Sequence, residues 1–381
     1  MMRIGLGATV LTRGMVSGHI DGIGVYTRNL LEELDKLNVE KSVVNFGRCN
    51  TISTHNLFPN YKNICLPIRY SAAVTYSFLT SLTFPGSRQL ANKIDLFHAP
   101  DHLIPRLSKI PVVATVMDAI PLVHPEWTSK RLRVYKNMVF RKMARSAQRI
   151  ITISEYSKAD IVHYFGIPPE RISVTYLAAN PVYSQPVAPE VRRAALQKYG
   201  LEQGFFLFVG TIQPRKNVAR ILEAHRMLPI QMQKACPMVI VGRNGWGSDE
   251  ILPDLHALQE RGCGRWLDDV KDEELHALLQ SARALVYPSL YEGFGLPVLE
   301  GFAAGLPVIS SNTTSIPEVA ADAAMLVNPE RTEEIAAAMQ RLAEDDALAV
   351  DMAERGRKRV KEFSWAACAR QTLDVYRNLA G

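Results

Sequence analysis

Short apolar runs alternate along the first half of this chain with longer segments of mixed polarity. Five runs predict buried strands: RIGLGATVL (3–11), IDLFHAP (94–100), VVATVMD (112–118), RIITIS (149–154) and RISVTYL (171–177). The segment at 22–37 repeats leucines at helical spacing, and the segment at 154–166 begins with Ser154 and ends at Gly166, as capped helices do. Strands that alternate with helices indicate parallel βαβ units.

The same pattern restarts in the second half of the chain. Strands are predicted at FFLFVG (205–210), PMVIVG (237–242), ALVYPS (284–289) and LPVIS (306–310), and helices at 217–228, 272–282 and 317–320. Three prolines between 181 and 189 interrupt the alternation. Since 381 residues exceed one ordinary core, we expect two domains. They span 1–180 and 204–363, with a linker at 181–203 and a final amphipathic helix at about 364–381.

The net charge of +6 is distributed unevenly. Residues 1–180 hold 22 Lys and Arg against 12 Asp and Glu (+10), whereas residues 181–381 hold 22 against 26 (−4). Residues 129–149 contain eight Lys and Arg and no acidic residue. This segment is either a solvated helix face or a helix that rests on anionic lipid or on a lipid diphosphate. Nucleic acid is disfavoured because no aromatic platform is interleaved with the basic residues.

Cysteine content and hydropathy exclude two further classes of protein. The five cysteines are odd in number and none lies at the spacing of metal ligands, so we expect no structural metal. We expect the cysteines to be free thiols in a reducing cytosol. No apolar run reaches the ~18 residues of a membrane-spanning helix.

The stretch YEGFGLPVLEGFAAGLPVIS (291–310) places two carboxylates, Glu292 and Glu300, in an apolar run. Pro297 suits a helix start and Gly305 a helix end, so a helix is predicted from about 297 to 304. The glycines at 293 and 295 let the backbone approach a ligand, and the helix N-terminus can bind an anion. A nucleotide-sugar fits, with its diphosphate on the helix and its hydroxyls on the glutamates. The alternative is that one glutamate caps the helix and the other is a solvated surface residue.

Two other loops follow predicted strands. In FVGTIQPRKN (208–217), Arg215 and Lys216 lie between a strand and a helix, where cations are well placed to bind phosphate. In HIDGIGVYTRN (19–29), Gly22 and Gly24 form a partial G-x-G pattern, which is either a tight turn or a second contact to the diphosphate.

Polar residues also end the strands of the first half. Asp118 follows VVATVM (112–117), His98 ends IDLFH (94–98), and Asp101 and His102 come shortly after His98. Considered alone, each of them is more often structural than catalytic, and only an aspartate at a strand end is as readily one as the other.

EGFGLPVLE (292–300) resembles the E-x7-E signature of retaining glycosyltransferases of family four. Further matching segments occur in the expected order: the glycines at 22–24, ISEYSK (153–158), GTIQPRKN (210–217), LDDVKDEELHALLQSA (267–282) and IPEV (316–319). The resemblance covers essentially the whole chain and implies the GT-B fold, an α/β architecture of two doubly wound Rossmann-like domains facing a central cleft. The chain looks most like the mannosyltransferase-B-like branch, which often builds bacterial surface polysaccharide.

The resemblance also implies roles for individual residues. Glu292 would hold hydroxyls of the donor sugar and Glu300 the donor ribose, while Arg215 and Lys216 would stabilise the leaving diphosphate in place of a metal. The remaining implied contacts to the donor come from Gly22 and Gly24 of the N-terminal, acceptor-binding domain and from Gly293, Phe294, Gly295 and Leu296 of the C-terminal, nucleotide-sugar-binding domain. The final helix would cross back onto the first domain.

Two positions depart from the family pattern. Many relatives carry His-Asp where this chain has Met117 and Asp118. Either Asp118 is sufficient without a histidine, or one of three other histidines takes the role of the missing one: His98, His102 or His124. Many relatives also carry Arg where this chain has Thr211, so that Arg215 would supply the charge.

The residues themselves predict phosphate binding and carboxylates suited to a sugar. The resemblance implies a retaining transfer of a sugar to a glycan or lipid-linked acceptor, and its branch implies mannose from GDP-mannose. No cofactor or metal is expected. The expected location is the cytoplasm, peripheral on the inner face of the membrane through 129–149. The alternatives are a nucleotide-sugar epimerase or hydrolase of the same fold, and a non-catalytic scaffold that binds sugar nucleotides.

Overall fold

Two compact units, each built on a parallel sheet, make up the chain in a computed structural model that describes residues 2–18, 20–47, 57–128 and 132–380. The first unit contains Met1–Leu177 and Ser364–Gly381, and the second contains Ala178–Phe363. All strand pairs in both sheets are parallel, and helices lie between most of the consecutive strands, as the alternating pattern predicted. The predicted class of fold, two Rossmann-like α/β domains of the GT-B type, is confirmed.

The first unit has a seven-stranded sheet in the order β3-β2-β1-β4-β5-β6-β7. Its strands are β1 (Ile4–Gly7), β2 (Lys41–Phe46), β3 (Lys62–Leu66), β4 (Leu96–Ala99), β5 (Val112–Thr115), β6 (Arg149–Thr152) and β7 (Ile172–Val174). Its described α-helices are Thr9–Ser17, Gly22–Lys36, Tyr70–Thr80, Ser87–Ala91, Ile120–Val123, Arg133–Ser146, Glu155–Asp160 and Trp365–Ala380. The central strands are buried along their length, which explains their continuous apolar runs.

The second unit has a six-stranded sheet in the order β10-β9-β8-β11-β12-β13. Its strands are β8 (Phe206–Val209), β9 (Met238–Val241), β10 (Gly264–Leu267), β11 (Ala284–Tyr287), β12 (Val308–Ser311) and β13 (Met325–Val327). Its α-helices are Pro189–Tyr199, Val218–Met227, Ile230–Ala235, Leu252–Glu260, Asp272–Leu279, Leu296–Ala303, Ile316–Ala320, Thr332–Glu344 and Asp346–Arg359. The strand order reverses between β8 and β11, so these two non-consecutive strands lie side by side.

Two segments differ from the sequence-based predictions. The run at 3–11 is a strand only as far as Gly7 and continues as the helix Thr9–Ser17, because a short apolar run fits either element. The segment 181–203, which its prolines predict to be a linker, lies within the second unit. It forms a 3₁₀ turn and the helix Pro189–Tyr199, which belongs to the second unit and buries Leu196. Proline at the first position of that helix favours it, since its missing N–H has no partner there anyway.

The final helix, Trp365–Ala380, belongs to the first unit and is held there by a buried hydrogen-bonded chain. The Tyr376 hydroxyl lies 2.6 Å from Nδ1 of His98, and Nε2 of His98 lies 2.8 Å from the Thr115 hydroxyl. The Thr115 hydroxyl in turn contacts the Tyr26 hydroxyl at 3.0 Å. Burial lowers the pKa of His98 to about 3, so this histidine is a neutral structural group.

Not all of the cysteines are the free thiols that the sequence predicts. Cys65 is disulfide-bonded, whereas Cys236, Cys263 and Cys368 are free. No described helix has both the length and the apolar character required to span a bilayer.

Candidate active site

The reversal of strand order in the second sheet brings two loops together. One loop follows β8 and ends in a 3₁₀ turn, Pro214–Lys216, and the other follows β11 and leads to the helix Leu296–Ala303. In parallel α/β sheets, ligands bind at the carboxyl ends of the strands where the order reverses. The two loops are also joined directly, because the Leu290 N–H donates to the Arg215 carbonyl at 2.8 Å.

Two cations converge on one carboxylate oxygen at this position. Nζ of Lys216 lies 2.6 Å and Nη1 of Arg215 lies 3.2 Å from Oε1 of Glu292. Lys216 and Glu292 are both buried, at 8% and 7% exposure, and Arg215 is partly exposed. The three charges sum to +1, which makes the cluster attractive to an anion. The predicted phosphate-binding cations and the first signature glutamate therefore form one cluster.

The two cations determine the charge state of Glu292. Burial alone would raise the pKa of this carboxyl, but Lys216 and then Arg215 lower it to about 2. Glu292 is therefore ionised at every physiological pH. Its second oxygen, Oε2, accepts no hydrogen bond from any residue in the described part of the chain, so it is available to a hydroxyl of a ligand.

Tyr287, the last residue of β11, completes the cluster and was not identified from the sequence. Its hydroxyl donates to Oε1 of Glu292 at 2.9 Å and also contacts Nζ of Lys216. The ring is fully buried and stacks on Phe208 of β8, with centroids 5.8 Å apart. A tyrosine in a buried strand needs a partner for its hydroxyl, and that requirement was the available signal.

Two further residues fix the loops and were also missed. Asn217 adopts a left-handed conformation with φ +63°, and its Nδ2 donates to the carbonyls of Pro288 and Pro329 at 2.9 and 2.6 Å. The Ser315 hydroxyl donates to the carbonyl of Glu292 at 2.9 Å. These bonds are local to the folded loops, so no periodic pattern in the sequence indicates them.

The helix of the signature runs from Leu296 to Ala303, close to the predicted 297–304. Gly295 precedes it with φ +105°, and a Cβ there would lie 2.5 Å from Cδ1 of Ile316, so only glycine fits. Gly293 and Phe294 are buried in the same loop. Gly305 has φ +72° and ends the helix as predicted.

Glu300 lies within this helix and is electrostatically different from Glu292. Its carboxylate is partly exposed and accepts no hydrogen bond from another residue among those described. Burial by the surrounding protein and the nearby charge of Asp272 raise its pKa to about 7, against an opposing effect of Lys216. A carboxylate with unused acceptor oxygens beside a cationic cluster suits a pair of ligand hydroxyls.

The predicted glycine pair of the first unit lies inside a helix. Gly22 and Gly24 occupy the first turn of the helix Gly22–Lys36, which is capped by Asp21 through a 2.8 Å bond to the Gly24 N–H. A Cβ on Gly24 would lie 2.5 Å from Cγ2 of Ile20, whereas a Cβ on Gly22 would meet nothing within 4 Å. The two glycines, predicted to form a loop between a strand and a helix, therefore form the N-terminus of that helix.

Asp118 lines a cavity of the first unit together with Met117 and His102. Oδ1 of Asp118 accepts the Ile120 N–H at 2.9 Å. Of the three histidines considered for the place of Met117, His98 is sequestered in the core, and His124 stacks on Trp127 at 3.8 Å. Only His102 among those three lines this cavity, and burial lowers its pKa.

Two family descriptions match most of the chain. Residues 20–181 match the family described as Glycosyltransferase Family 4, and residues 192–359 match the family described as Glycosyl transferases group 1. The first match falls on the first unit and the second on the second unit, so both halves of the fold are accounted for.

Known proteins are similar to this chain at two levels. The O-antigen chain mannosyltransferase B of Escherichia coli is 36% identical over 286 residues, which cover 74% of each chain. The serotype-specific mannosyltransferase WbdA of Escherichia coli is 28% identical over 275 residues, 70% of this chain but 33% of that protein. Among solved structures, sucrose-phosphate synthase from Thermosynechococcus elongatus superposes with a TM-score of 0.76 at 20% identity, covering 100% of this chain and 99% of that one.

Proposed function

Because this chain belongs to the glycosyltransferase family that includes the O-antigen chain mannosyltransferase B of Escherichia coli, we propose that it transfers mannose from GDP-mannose. The acceptor is a glycan or a lipid-linked saccharide in surface polysaccharide synthesis. The observation that carries the proposal is the Lys216–Glu292–Arg215 cluster at the reversal of strand order. A diphosphate supplies the anion for this cluster, and the ribose supplies two hydroxyls for Glu300.

We expect nucleoside diphosphates to stabilise the protein without metal, since Arg215 and Lys216 provide the positive charge that a metal would otherwise supply. A ligand at 100 times its Kd raises the free energy of unfolding by about 2.7 kcal/mol. Thermal unfolding with GDP, UDP, ADP and dTDP, each with and without Mg²⁺, measures this. A shift with GDP that is independent of Mg²⁺ is the expected result. A shift that requires Mg²⁺ would contradict the role of the two cations, and no shift with any nucleotide would contradict the donor site.

The transfer is proposed to retain the anomeric configuration by a front-face route. The bond from the anomeric carbon to the phosphate oxygen breaks, and the acceptor oxygen bonds to the same face of that carbon. The acceptor hydroxyl gives its proton to the leaving phosphate. Glu292 is held by three donors at Oε1, which suits a positioning role better than a nucleophilic one.

The product formed from GDP-mannose and a mannoside acceptor tests the stereochemistry. We expect an α-linked product, identified by the coupling of the anomeric carbon and proton in its NMR spectrum. A β-linked product would exclude retention. Free mannose or an epimerised nucleotide sugar, formed equally fast without acceptor, would instead identify a hydrolase or an epimerase.

Contact with a membrane is proposed through the helix Arg133–Ser146. The basic segment at 129–149 includes this helix, whereas 129–131 lie outside the described residues. One face of the helix carries Val134 and Met138, exposed at 72% and 54%, followed by exposed Arg141 and Arg145. Exposed apolar side chains beside cations are typical of helices that lie on anionic lipid.

The apolar pair gives a better test of membrane contact than the cations do. Arg141 and Arg145 both donate to the Phe165 carbonyl, and Lys142 donates to the Phe78 carbonyl at 2.8 Å, so reversing these charges would disturb the fold. Val134 and Met138 have no such structural task.

We expect the V134D/M138D variant to cosediment with anionic vesicles at least tenfold more weakly than the unmodified protein. The reason is that two exposed apolar side chains lose their favourable transfer into lipid. The matched control is V350D, which alters a valine exposed at 60% on a helix of the second unit. Equal cosedimentation of all three proteins would contradict the proposal.

A further inference from the structure

The first unit contains a cavity of about 770 Å³ that the proposed donor site does not use. It lies at the carboxyl ends of β4 and β5, between the helices Tyr70–Thr80 and Arg133–Ser146, both of which contribute residues to its wall. Its volume is within the range of sites that enclose small molecules. The carboxyl ends of the strands in this sheet are also where its ligands are expected.

The wall of the cavity divides into a polar and an apolar part. Asp101, His102 and Asp118 form the polar part at the strand ends, and the wall elsewhere also includes polar residues: Ser71, Thr75, Thr115, Thr128, Arg133, Lys136 and Asn137. Most of the remaining wall is aliphatic or aromatic, and includes Val74, Leu103, Val116, Pro121, Val139 and Phe140.

The two aspartates of the polar part already have backbone partners. Oδ1 of Asp101 accepts the Leu103 N–H at 2.6 Å, and Oδ1 of Asp118 accepts the Ile120 N–H at 2.9 Å. A saccharide placed along the apolar part would lose its hydrogen bonds to water without replacement. A hydrocarbon chain would lose none and would gain by leaving water.

The apolar part of the cavity reaches the protein surface. Leu132 and Ser71 line the cavity and are also exposed, Leu132 at 64%. Leu132 immediately precedes the helix that carries exposed Val134 and Met138. The cavity therefore opens beside the surface that we assign to the membrane, and apolar surface continues from the outside to the inside.

We propose that this cavity binds the apolar chain of a lipid-linked acceptor, with the polar head of the acceptor at Asp101, His102 and Asp118. The inference rests on the proposed function and adds the chemical class of the acceptor: an amphiphile whose saccharide is followed by an isoprenoid or alkyl chain. The enzyme then recognises its acceptor partly by the lipid, which a soluble oligosaccharide lacks.

The experiment compares three acceptors that share one sugar: methyl, dodecyl and farnesyl mannoside, each below its micelle concentration. We expect KM to fall roughly tenfold for every two methylene groups of the acceptor chain that move from water into the cavity. Both long-chain acceptors should therefore be strongly preferred over the methyl mannoside. A preference for farnesyl over dodecyl mannoside identifies an isoprenoid chain, and the reverse identifies an alkyl chain. Equal kcat/KM for all three acceptors would overturn the proposal.

A pair of neighbouring variants locates the chain in the cavity. Ser71→Trp inserts a large ring at a position that lines the cavity, and the matched control, Ala72→Trp, inserts it one residue further at an exposed position outside the lining. The ratio of kcat/KM for dodecyl over methyl mannoside should fall at least fivefold in S71W and stay unchanged in A72W. If this kcat/KM ratio were the same in S71W as in the unmodified protein, the acceptor chain would not lie in the cavity.

A binding measurement separates failure of the inference from failure of the proposed function. Thermal stabilisation by dodecyl mannoside, compared with methyl mannoside, requires no transfer to occur. Stabilisation that is lost in S71W, without transfer of mannose to any acceptor, would support the cavity and contradict the proposed activity. Transfer to methyl mannoside as efficient as to dodecyl mannoside, without stabilisation by the chain, would support the activity and overturn the cavity.

Discussion

Replacing Lys216 with methionine should lower kcat by roughly 10²–10³-fold, because it removes the cation placed to stabilise the negative charge of the leaving diphosphate. It should also lower the free energy of unfolding by about 3 kcal/mol, since Glu292 keeps a buried carboxylate with one partner fewer. Steady-state kinetics with GDP-mannose and urea unfolding of the same protein measure the two effects. Lys198→Met is the matched control, because that lysine pairs with Glu274 at an exposed position.

A double variant separates the two roles of Lys216. In K216M/E292Q the buried charge is removed with its partner, so most of the lost stability should return while kcat stays low. Recovery of turnover together with stability would mean that Lys216 acts only through the fold. A kcat within threefold of normal in K216M would contradict its assignment to the diphosphate.

The stability lost in K216M should depend on pH in a defined direction. The pKa of Glu292 is lowered from its ordinary value of 4.5 to about 2, so its ion pairs contribute stability that is complete above pH 4.5. That contribution is lost as the pH falls through 2. The difference between K216M and the unmodified protein should therefore shrink on acidification, and a difference that grows towards acid would contradict the assigned cause.

Replacing Glu300 with glutamine should weaken binding of GDP by about 10- to 100-fold and yet stabilise the protein above neutral pH. The affinity falls because a charged acceptor of two ribose hydroxyls becomes a neutral amide. The stability rises because the pKa of Glu300 is raised from 4.5 to about 7, which means that ionising this carboxyl in the folded state is unfavourable. Titration calorimetry with GDP and urea unfolding measure the two effects.

The sign of the pH dependence distinguishes this explanation from a general effect of the substitution. Glu300 contributes stability that is complete below pH 4.5 and is lost as the pH rises through 7. E300Q should therefore match the unmodified protein at pH 4 and exceed it by about 1–3 kcal/mol at pH 8. GDP affinity of the unmodified protein should decline below pH 7 and that of E300Q should not. An equal gain in stability at pH 4 and pH 8 would contradict the raised pKa.

Much of the second-unit site follows from the sequence because its residues lie in short contiguous motifs. Arg215 and Lys216 stand between a strand and a helix, and the helix that contains Glu300 is bounded by residues suited to its ends. Tyr287 could not be predicted in the same way. It is an ordinary member of an apolar strand until Phe208 of β8 stacks on its ring and Glu292 accepts a hydrogen bond from its hydroxyl.

The histidines show the same division in the first unit. His98, His102 and His124 were equivalent as sequence neighbours of the predicted strand ends. The fold places His98 against Tyr376, 278 residues further along the chain, and leaves only His102 of these three in the wall of the cavity that Asp118 lines. Burial, and not residue type, separates a structural histidine from one that faces a cavity.

The sequence by itself determined the alternation of strands and helices, the parallel α/β class and the positions of the charged loops, because each depends on residues within a few turns of one another. The tertiary structure alone decided that Lys216 meets Glu292 across 76 residues, since this depends on which strands become neighbours at the reversal of strand order. It also decided the charge states, because the pKa of a carboxyl follows the burial and partners that folding provides. Two glutamates eight residues apart thus carry pKa values of about 2 and about 7.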